Sequence, residues 1–215
     1  MIKAIIFDMD GTMIDSEILH FNAYNQALHC FGIEFNLEDY WKVWGSDKDI
    51  CKGIIEKFNL DISWEELMES KSKIYRESFI YSLKPQKGLV KLLENLKKDA
   101  YLLAVASSSQ IYEIKIILDS LKIAHFFREI ASAESVENGK PSPDIYLLVA
   151  EKLGVLPENC LVLEDSPKGL LSAKKAGMKC FTLPTPYVKN GDFSLADKVL
   201  DSLEDVYYNL KNNLL

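Results

Sequence analysis

Lys3-Ala4-Ile5-Ile6-Phe7-Asp8-Met9-Asp10-Gly11-Thr12 begins as an apolar run and ends abruptly in two carboxylates, a glycine and a threonine. Ala4 to Phe7 have the make-up of a short strand buried on both faces, the habit of parallel sheets. Asp8 and Asp10 leave the end of that strand together. Gly11 lets the chain turn with a backbone few other residues tolerate. Two acids so close repel unless a cation sits between them or one is protonated. Alone, Asp-x-Asp-Gly is equally the mark of a strand running into an Asx turn. An open α/β sheet places its ligand outside the carboxyl ends of its strands, so the other strand ends decide between the two readings.

Working outward, the second half of the chain alternates strands and helices. Apolar strands are expected at 101–106, 128–131, 160–163 and 179–183, with helices at 89–97 and 110–121, after Ser142-Pro143, and after Ser166-Pro167. A terminal amphipathic helix is expected at 202–210. This alternation predicts an α/β fold: a doubly wound, Rossmann-like parallel sheet. A strand–helix–strand unit takes about 30 residues, yet far more separate Phe7 from Tyr101, and the surplus is helical. Residues 1–16 and 84–215 are therefore expected to form an α/β core domain, with 17–83 an all-helical cap domain inserted into the first crossover. Within it, one helix should run to Phe31 with Phe21, Tyr24, Leu28 and Phe31 on one face, ended by Gly32. Ser63-Trp64-Glu65-Glu66 reads as a capping box opening a helix that reaches Tyr81. Trp41, Trp44 and Trp64 are expected in the core of this insert. A cap hinged at strand ends is placed to act as a lid.

Bulk properties narrow the function. The chain has 215 residues, enough for one large or two small domains, and 48% hydrophobic content supports a real core. A net charge of -7 argues against a nucleic-acid partner, which needs a basic face. The 4 cysteines are scattered without a Cys-x-x-Cys pair, so they read as small buried hydrophobes in a reducing cytoplasm rather than a zinc site or disulfide frame. Asp8 and Asp10 interrupt the early apolar run, so no signal peptide is visible, and no stretch reaches the ~18 apolar residues of a membrane span. A cytoplasmic monomer is the default expectation.

Three sheet strands end in polar clusters: Asp8 and Asp10, then Ser107-Ser108-Ser109, then Glu164 and Asp165. Lys140 lies between the last two. Parallel strands bring these ends to one crevice. Four carboxylates there need a cation, and all-oxygen ligation suits a hard ion, Mg²⁺ before Ca²⁺ or Mn²⁺. Ser107 to Ser109, opening a helix, offer hydroxyls and backbone N–H groups to an anion. Metal, anion site, lysine and spare carboxylate are the equipment of phosphoryl transfer.

Phe7-Asp8-Met9-Asp10-Gly11-Thr12, the Ser107 strand end, Lys140-Pro141-Ser142-Pro143-Asp144 and Leu163-Glu164-Asp165-Ser166-Pro167-Lys168-Gly169 together resemble the four motifs of the haloacid dehalogenase superfamily, in order and in spacing. The resemblance spans essentially the whole chain. The insert looks like the helical cap of the branch that includes β-phosphoglucomutase and many small-molecule phosphatases. The resemblance implies that Asp8 is a nucleophile forming an aspartyl phosphate and Asp10 the acid/base. Ser107 and Lys140, with Ser108 beside them, would hold phosphoryl oxygens. Asp8, the backbone carbonyl of Asp10, Asp165 and Glu164 would hold Mg²⁺, with Glu164 either touching the ion or hydrogen-bonded behind it. The implied activity is hydrolysis of a small phosphorylated metabolite, a sugar phosphate first, with a β-phosphoglucomutase-like phosphomutase as alternative. The second aspartate argues against dehalogenation.

His20 and Ser16 match the cap-side positions that carry a histidine and a threonine in β-phosphoglucomutase. A histidine one turn into an amphipathic helix is also commonly structural. Near Gly45, the mutase pattern of a lysine before and an arginine after becomes Trp44 and Lys48. Lys48 keeps the charge without the planar fork that grips phosphate bidentately. Both changes favour hydrolysis over mutase chemistry.

Overall fold

A computed structural model describes residues 1–44, 50–188 and 190–212. Lys48 lies outside the described residues, and Trp44 is described only as the last residue of a helix. The chain divides into two compact units, Met1–Asp15 with Lys84–Leu215, and Ser16–Leu83.

The first unit is built on a parallel sheet of β1 (Ala4–Phe7), β2 (Leu102–Ser107), β3 (Glu129–Ser132), β4 (Cys160–Glu164), β5 (Lys179–Thr182) and β6 (Lys198–Val199), in the order β3-β2-β1-β4-β5-β6. Every residue of β1 is buried, as a central parallel strand demands. Complete burial of Ile5, Ile6 and Phe7 contributes about 1.5–3 kcal/mol each. That apolar anchoring offsets the cost of two neighbouring acids at the strand end.

Register then fixes the site. Phe7 is level with Val105 of β2 and Leu163 of β4, and the Asp8 N–H donates to Leu163 O at 2.9 Å. One step further, the Ala106 carbonyl, Asp8 and Glu164 stand in a row across three adjacent strands.

The helices of this unit, numbered after the four of the helical unit, are α5 (Leu89–Lys98), α6 (Ile111–Ser120), α7 (Asp144–Leu153), α8 (Pro167–Lys175) and α9 (Leu203–Lys211). One core cluster joins Ile6, Ala104, Ala106 and Val162 of the sheet to Tyr146 and Val149 of α7 and Leu170 of α8. Ser166 caps α8, its hydroxyl accepting from Gly169 N at 3.1 Å. Ser142 does not cap α7. Pro143 holds that position, and the Ser142 hydroxyl instead donates to Asp144 Oδ1 at 2.5 Å. The sheet also has a strand the periodicity missed, β6, whose two residues are too few to carry a pattern.

The second unit packs α1 (Glu17–His29), α2 (Leu37–Trp44), α3 (Ile50–Phe58) and α4 (Trp64–Ile74) around Tyr24, Leu28, Phe35, Tyr40, Ile54 and Leu67. The capping box at Ser63 forms, with Glu66 N donating to Ser63 Oγ at 3.2 Å and Ser63 N to Glu66 Oε2 at 2.8 Å. Three expectations fail here. α1 stops at His29, so Phe31 falls past the helix and is 48% exposed. α4 gives way at Tyr75 to a π-helical turn, Tyr75–Phe79, and then a 3₁₀ turn, Ile80–Ser82, instead of running on to Tyr81. Trp64 opens α4 at the surface, 40% exposed with Lys52 Nζ 5.3 Å from its ring centroid. Among the described residues no helix is long and apolar enough to cross a membrane.

Candidate active site

The segment after β1 is folded tightly on itself. Met13 N and Ile14 N both donate to Met9 O, and Gly11 N donates to Ile14 O. Gln86, in the same unit, binds this loop through its N–H to Met13 O at 2.8 Å and its side chain to Gly11 O at 3.3 Å. Gly11 has φ +84°, and a Cβ there would lie 2.1 Å from Asp165 Oδ2. Only glycine lets the loop and Asp165 approach so closely.

Lys140 docks across the row of strand ends. Its Nζ donates to Asp8 Oδ1 at 2.6 Å, Glu164 Oε1 at 2.7 Å and Ala106 O at 3.1 Å, and its side chain is 7% exposed. Burial works against the lysine's charge, but the facing Asp8 and Glu164 carboxylates outweigh it and hold its pKa well above the usual value. For Glu164, burial is again the largest influence. The Lys140 ammonium and the hydrogen bonds overcome it, and its pKa falls below the usual range. Asp8 goes the other way: burial holds its pKa well above the usual carboxylate range despite Lys140.

Asp8, Glu164 and Asp165 are all buried, with one oxygen from each within 4.8 Å of the others. Fully ionised, they exceed the charge of Lys140 by two, the charge of a divalent cation. The donor set, all oxygen and all carboxylate, fits a hard ion. Glu164 contributes to that charge but is already heavily engaged. Oε1 accepts from Lys140 and, at 2.9 Å, from the Tyr146 hydroxyl. Oε2 accepts from Asp165 N, Ser166 N and Ser166 Oγ at 3.0, 3.0 and 2.9 Å. Gly169 makes room for this carboxylate, since a Cβ there would fall 1.6 Å from Glu164 Oε1.

The serine cluster is more occupied than its sequence suggests. Ser107 is buried, Ser108 exposed. Ser109 N donates to Ser107 Oγ at 3.0 Å, and the first amide of α6, Ile111 N, donates to the Glu134 carboxylate at 2.9 Å. Two of the backbone donors expected to face an anion are thus spent within the protein. The Ser109 hydroxyl donates to Asp10 Oδ2 at 2.8 Å. The sequence places Ser109 with Ser107 and Ser108 in an anion site, whereas its hydroxyl is engaged by Asp10, and the sequence reading missed Tyr146 and Glu134 altogether. For Tyr146 a signal existed: a tyrosine in the first turn after Lys140, on the face α7 buries, needs a partner for its hydroxyl.

In the helical unit, His20 stacks on Tyr75 at 4.3 Å between centroids, and its Nδ1 lies 2.9 Å from Lys71 Nζ. Ser16 is buried at the start of α1, without a side-chain capping bond.

A family model described as haloacid dehalogenase-like hydrolase matches residues 5–183. A phosphorylated carbohydrates phosphatase of Thermotoga maritima is 33% identical over 178 residues, 82% of each chain. A protein named "Probable pseudouridine-5'-phosphatase" from Drosophila melanogaster is 32% identical over 207 residues, covering 93% of this chain and 89% of its own. The crystal structure of a β-phosphoglucomutase from Clostridium difficile superposes with a TM-score of 0.82 at 27% identity, covering 100% of this chain and 97% of that one. The family's motifs meet here on the ends of β2, β1 and β4, and the chain belongs to the haloacid dehalogenase-like hydrolases as an enzyme of the phosphohydrolase type.

Proposed function

We propose that this protein is a Mg²⁺-dependent phosphatase that hydrolyses a small phosphorylated metabolite, foremost a sugar phosphate, through an aspartyl phosphate. The observation that carries the reading is the buried Asp8–Lys140 contact at 2.6 Å with the Asp10 carboxylate held two residues away by Ser109. One carboxylate lies against a cation suited to phosphoryl oxygens, and the second is oriented to carry a proton.

In the first half-reaction an Asp8 oxygen bonds to phosphorus as the ester P–O bond breaks, and Asp10 gives its proton to the leaving oxygen. In the second, Asp10 takes a proton from water as that water bonds to phosphorus, and the Asp8–phosphorus bond breaks. Lys140 and the Ser107 hydroxyl hold the phosphoryl oxygens. A hydroxyl that accepts from Ser109 N still has its own hydrogen to give. Asp8, Asp165 and the Asp10 carbonyl would hold Mg²⁺, which would supply positive charge against the transferring group.

The names of the two curated relatives point to phosphorylated carbohydrates and a nucleoside phosphate as substrate classes. Likeness to the mutase supports the alternative, in which a sugar hydroxyl replaces water. The test is a panel of phosphorylated metabolites with Mg²⁺, read both for free phosphate and for isomerisation of β-glucose 1-phosphate. Hydrolysis of at least one sugar phosphate is expected to dominate, because Trp44 and Lys48 weaken a second phosphate site. Conversion to glucose 6-phosphate much faster than phosphate release would select the mutase.

A further inference from the structure

Glu164 is a buried carboxylate surrounded by five hydrogen-bond donors: Lys140, Tyr146, Asp165 N, Ser166 N and Ser166 Oγ. A carboxylate has about four lone-pair directions to offer, so this one has nothing over for a metal. The donors divide sharply. Oε2 belongs to the first residues after β4, which lock it. Oε1 is shared between Lys140 and Tyr146, and Tyr146 also passes its ring beneath Lys140, with Nζ 4.9 Å from the centroid. Tyr146 is itself fully buried, wedged among Ile6, Ala106 and Val162. Its hydroxyl is therefore as fixed as the sheet.

We propose that Tyr146 is a positioning residue: by donating to the Glu164 oxygen that Lys140 shares, it sets where the Lys140 ammonium sits against Asp8. The inference rests on the phosphoryl-transfer reading and adds that Glu164 serves the lysine while Asp8 and Asp165 serve the metal. A donor on Oε1 reduces the negative charge that this oxygen presents to Lys140. Without the hydroxyl, Glu164 draws the ammonium toward itself and away from Asp8 and the phosphoryl oxygens.

Tyr146→Phe keeps the ring and removes only the hydroxyl. By calorimetry in saturating Mg²⁺, the affinity for inorganic phosphate should fall about tenfold, the usual cost of losing a group that orients a ligand-binding side chain. The affinity for Mg²⁺ without phosphate should keep its wild-type value. In a Glu164→Gln background, Tyr146→Phe should cost nothing further, since the carboxylate it serves is gone. Should Glu164→Gln fail to fold, the two titrations of the single variant decide. Unchanged phosphate affinity overturns the proposal. So does a parallel fall in Mg²⁺ affinity, which would make Glu164 a metal ligand that Tyr146 orients. A lowered melting temperature with both affinities intact reduces Tyr146 to packing and overturns it equally. Wild-type protein that binds phosphate but hydrolyses no ester removes the phosphatase reading alone, and the titrations still judge Tyr146.

Discussion

Gly11 and Asp165 occupy adjoining space: a methyl group on Gly11 would sit 2.1 Å from Asp165 Oδ2, and the φ of +84° disfavours any side chain there. Gly11→Ala should therefore push Asp165 out of the carboxylate cluster without disturbing the core. We expect Mg²⁺ affinity to drop at least about tenfold, with phosphatase activity falling in step. Calorimetric titration checks this, and wild-type affinity in Gly11→Ala would contradict the assignment of Asp165 to the ion.

Asp8→Asn preserves shape and removes the attacking charge. Turnover should fall by at least ~10³ while the melting temperature holds or rises, because burial already penalises the Asp8 charge. Steady-state kinetics on the best substrate of the panel, paired with a thermal melt, measures both. Activity near the wild-type level would remove Asp8 as nucleophile.

Binding of the ion should relieve the mutual repulsion of Asp8 and Asp165. At about 100 times its dissociation constant, Mg²⁺ should add about 2.7 kcal/mol of stability. Asp165→Asn should shrink that increment, and chelator should abolish hydrolysis. A melting temperature indifferent to Mg²⁺ would count against a metal site here.

Acid should act on a separate clamp. Asp99 Oδ2 lies 2.5 Å from Lys211 Nζ and accepts from the Tyr207 hydroxyl at 2.7 Å, joining the end of α5 to α9. The Lys211 hydrogen bond, then that of Tyr207, lowers the Asp99 pKa below its ordinary 3.8. The unfolded chain thus takes up this proton first. The clamp's contribution is present above the ordinary value and is lost as pH falls through the lower folded one. Asp99→Asn should melt earlier than wild type at pH 7, with the gap closing in acid below pH 3.8. A gap that persists unchanged at low pH would show that charge plays no part.

Much of this architecture is legible in the chain because apolar runs ending in polar residues are strong local signals. The runs through Phe7, Ala106 and Leu163 each announce a strand and each point to the site. Signals fail where the deciding contact is distant or the segment short. Val199 pairs with β5 in a strand of two residues, below any period. Phe31 continues the helical spacing of α1, but the helix ends at His29, since the turn into Gly32 at φ +70° takes over. Within the site, Asp8, Glu164 and Asp165 converge because parallel strand ends must, and Lys140 reaches them from the loop before α7. The bond from Ser109 to Asp10 joins residues 99 apart, and nothing local foretells it. The engagement of Glu164 by Tyr146 depends on how α7 is rotated on the sheet, which spacing alone leaves open.

The central place of β1 has a consequence for the order of manufacture. It precedes both of its partners in the chain, which begin at Leu102 and Cys160. At translation rates of about 5–20 residues per second, Ala4–Phe7 wait roughly 8–30 s for both neighbours. Throughout that interval four apolar residues with unpaired backbone on both edges are exposed on the nascent chain. The helices of Ser16–Leu83, whose contacts are local, are complete long before. β1 is thus made well before both of the strands that enclose it, which makes it a natural binding point for a chaperone during synthesis.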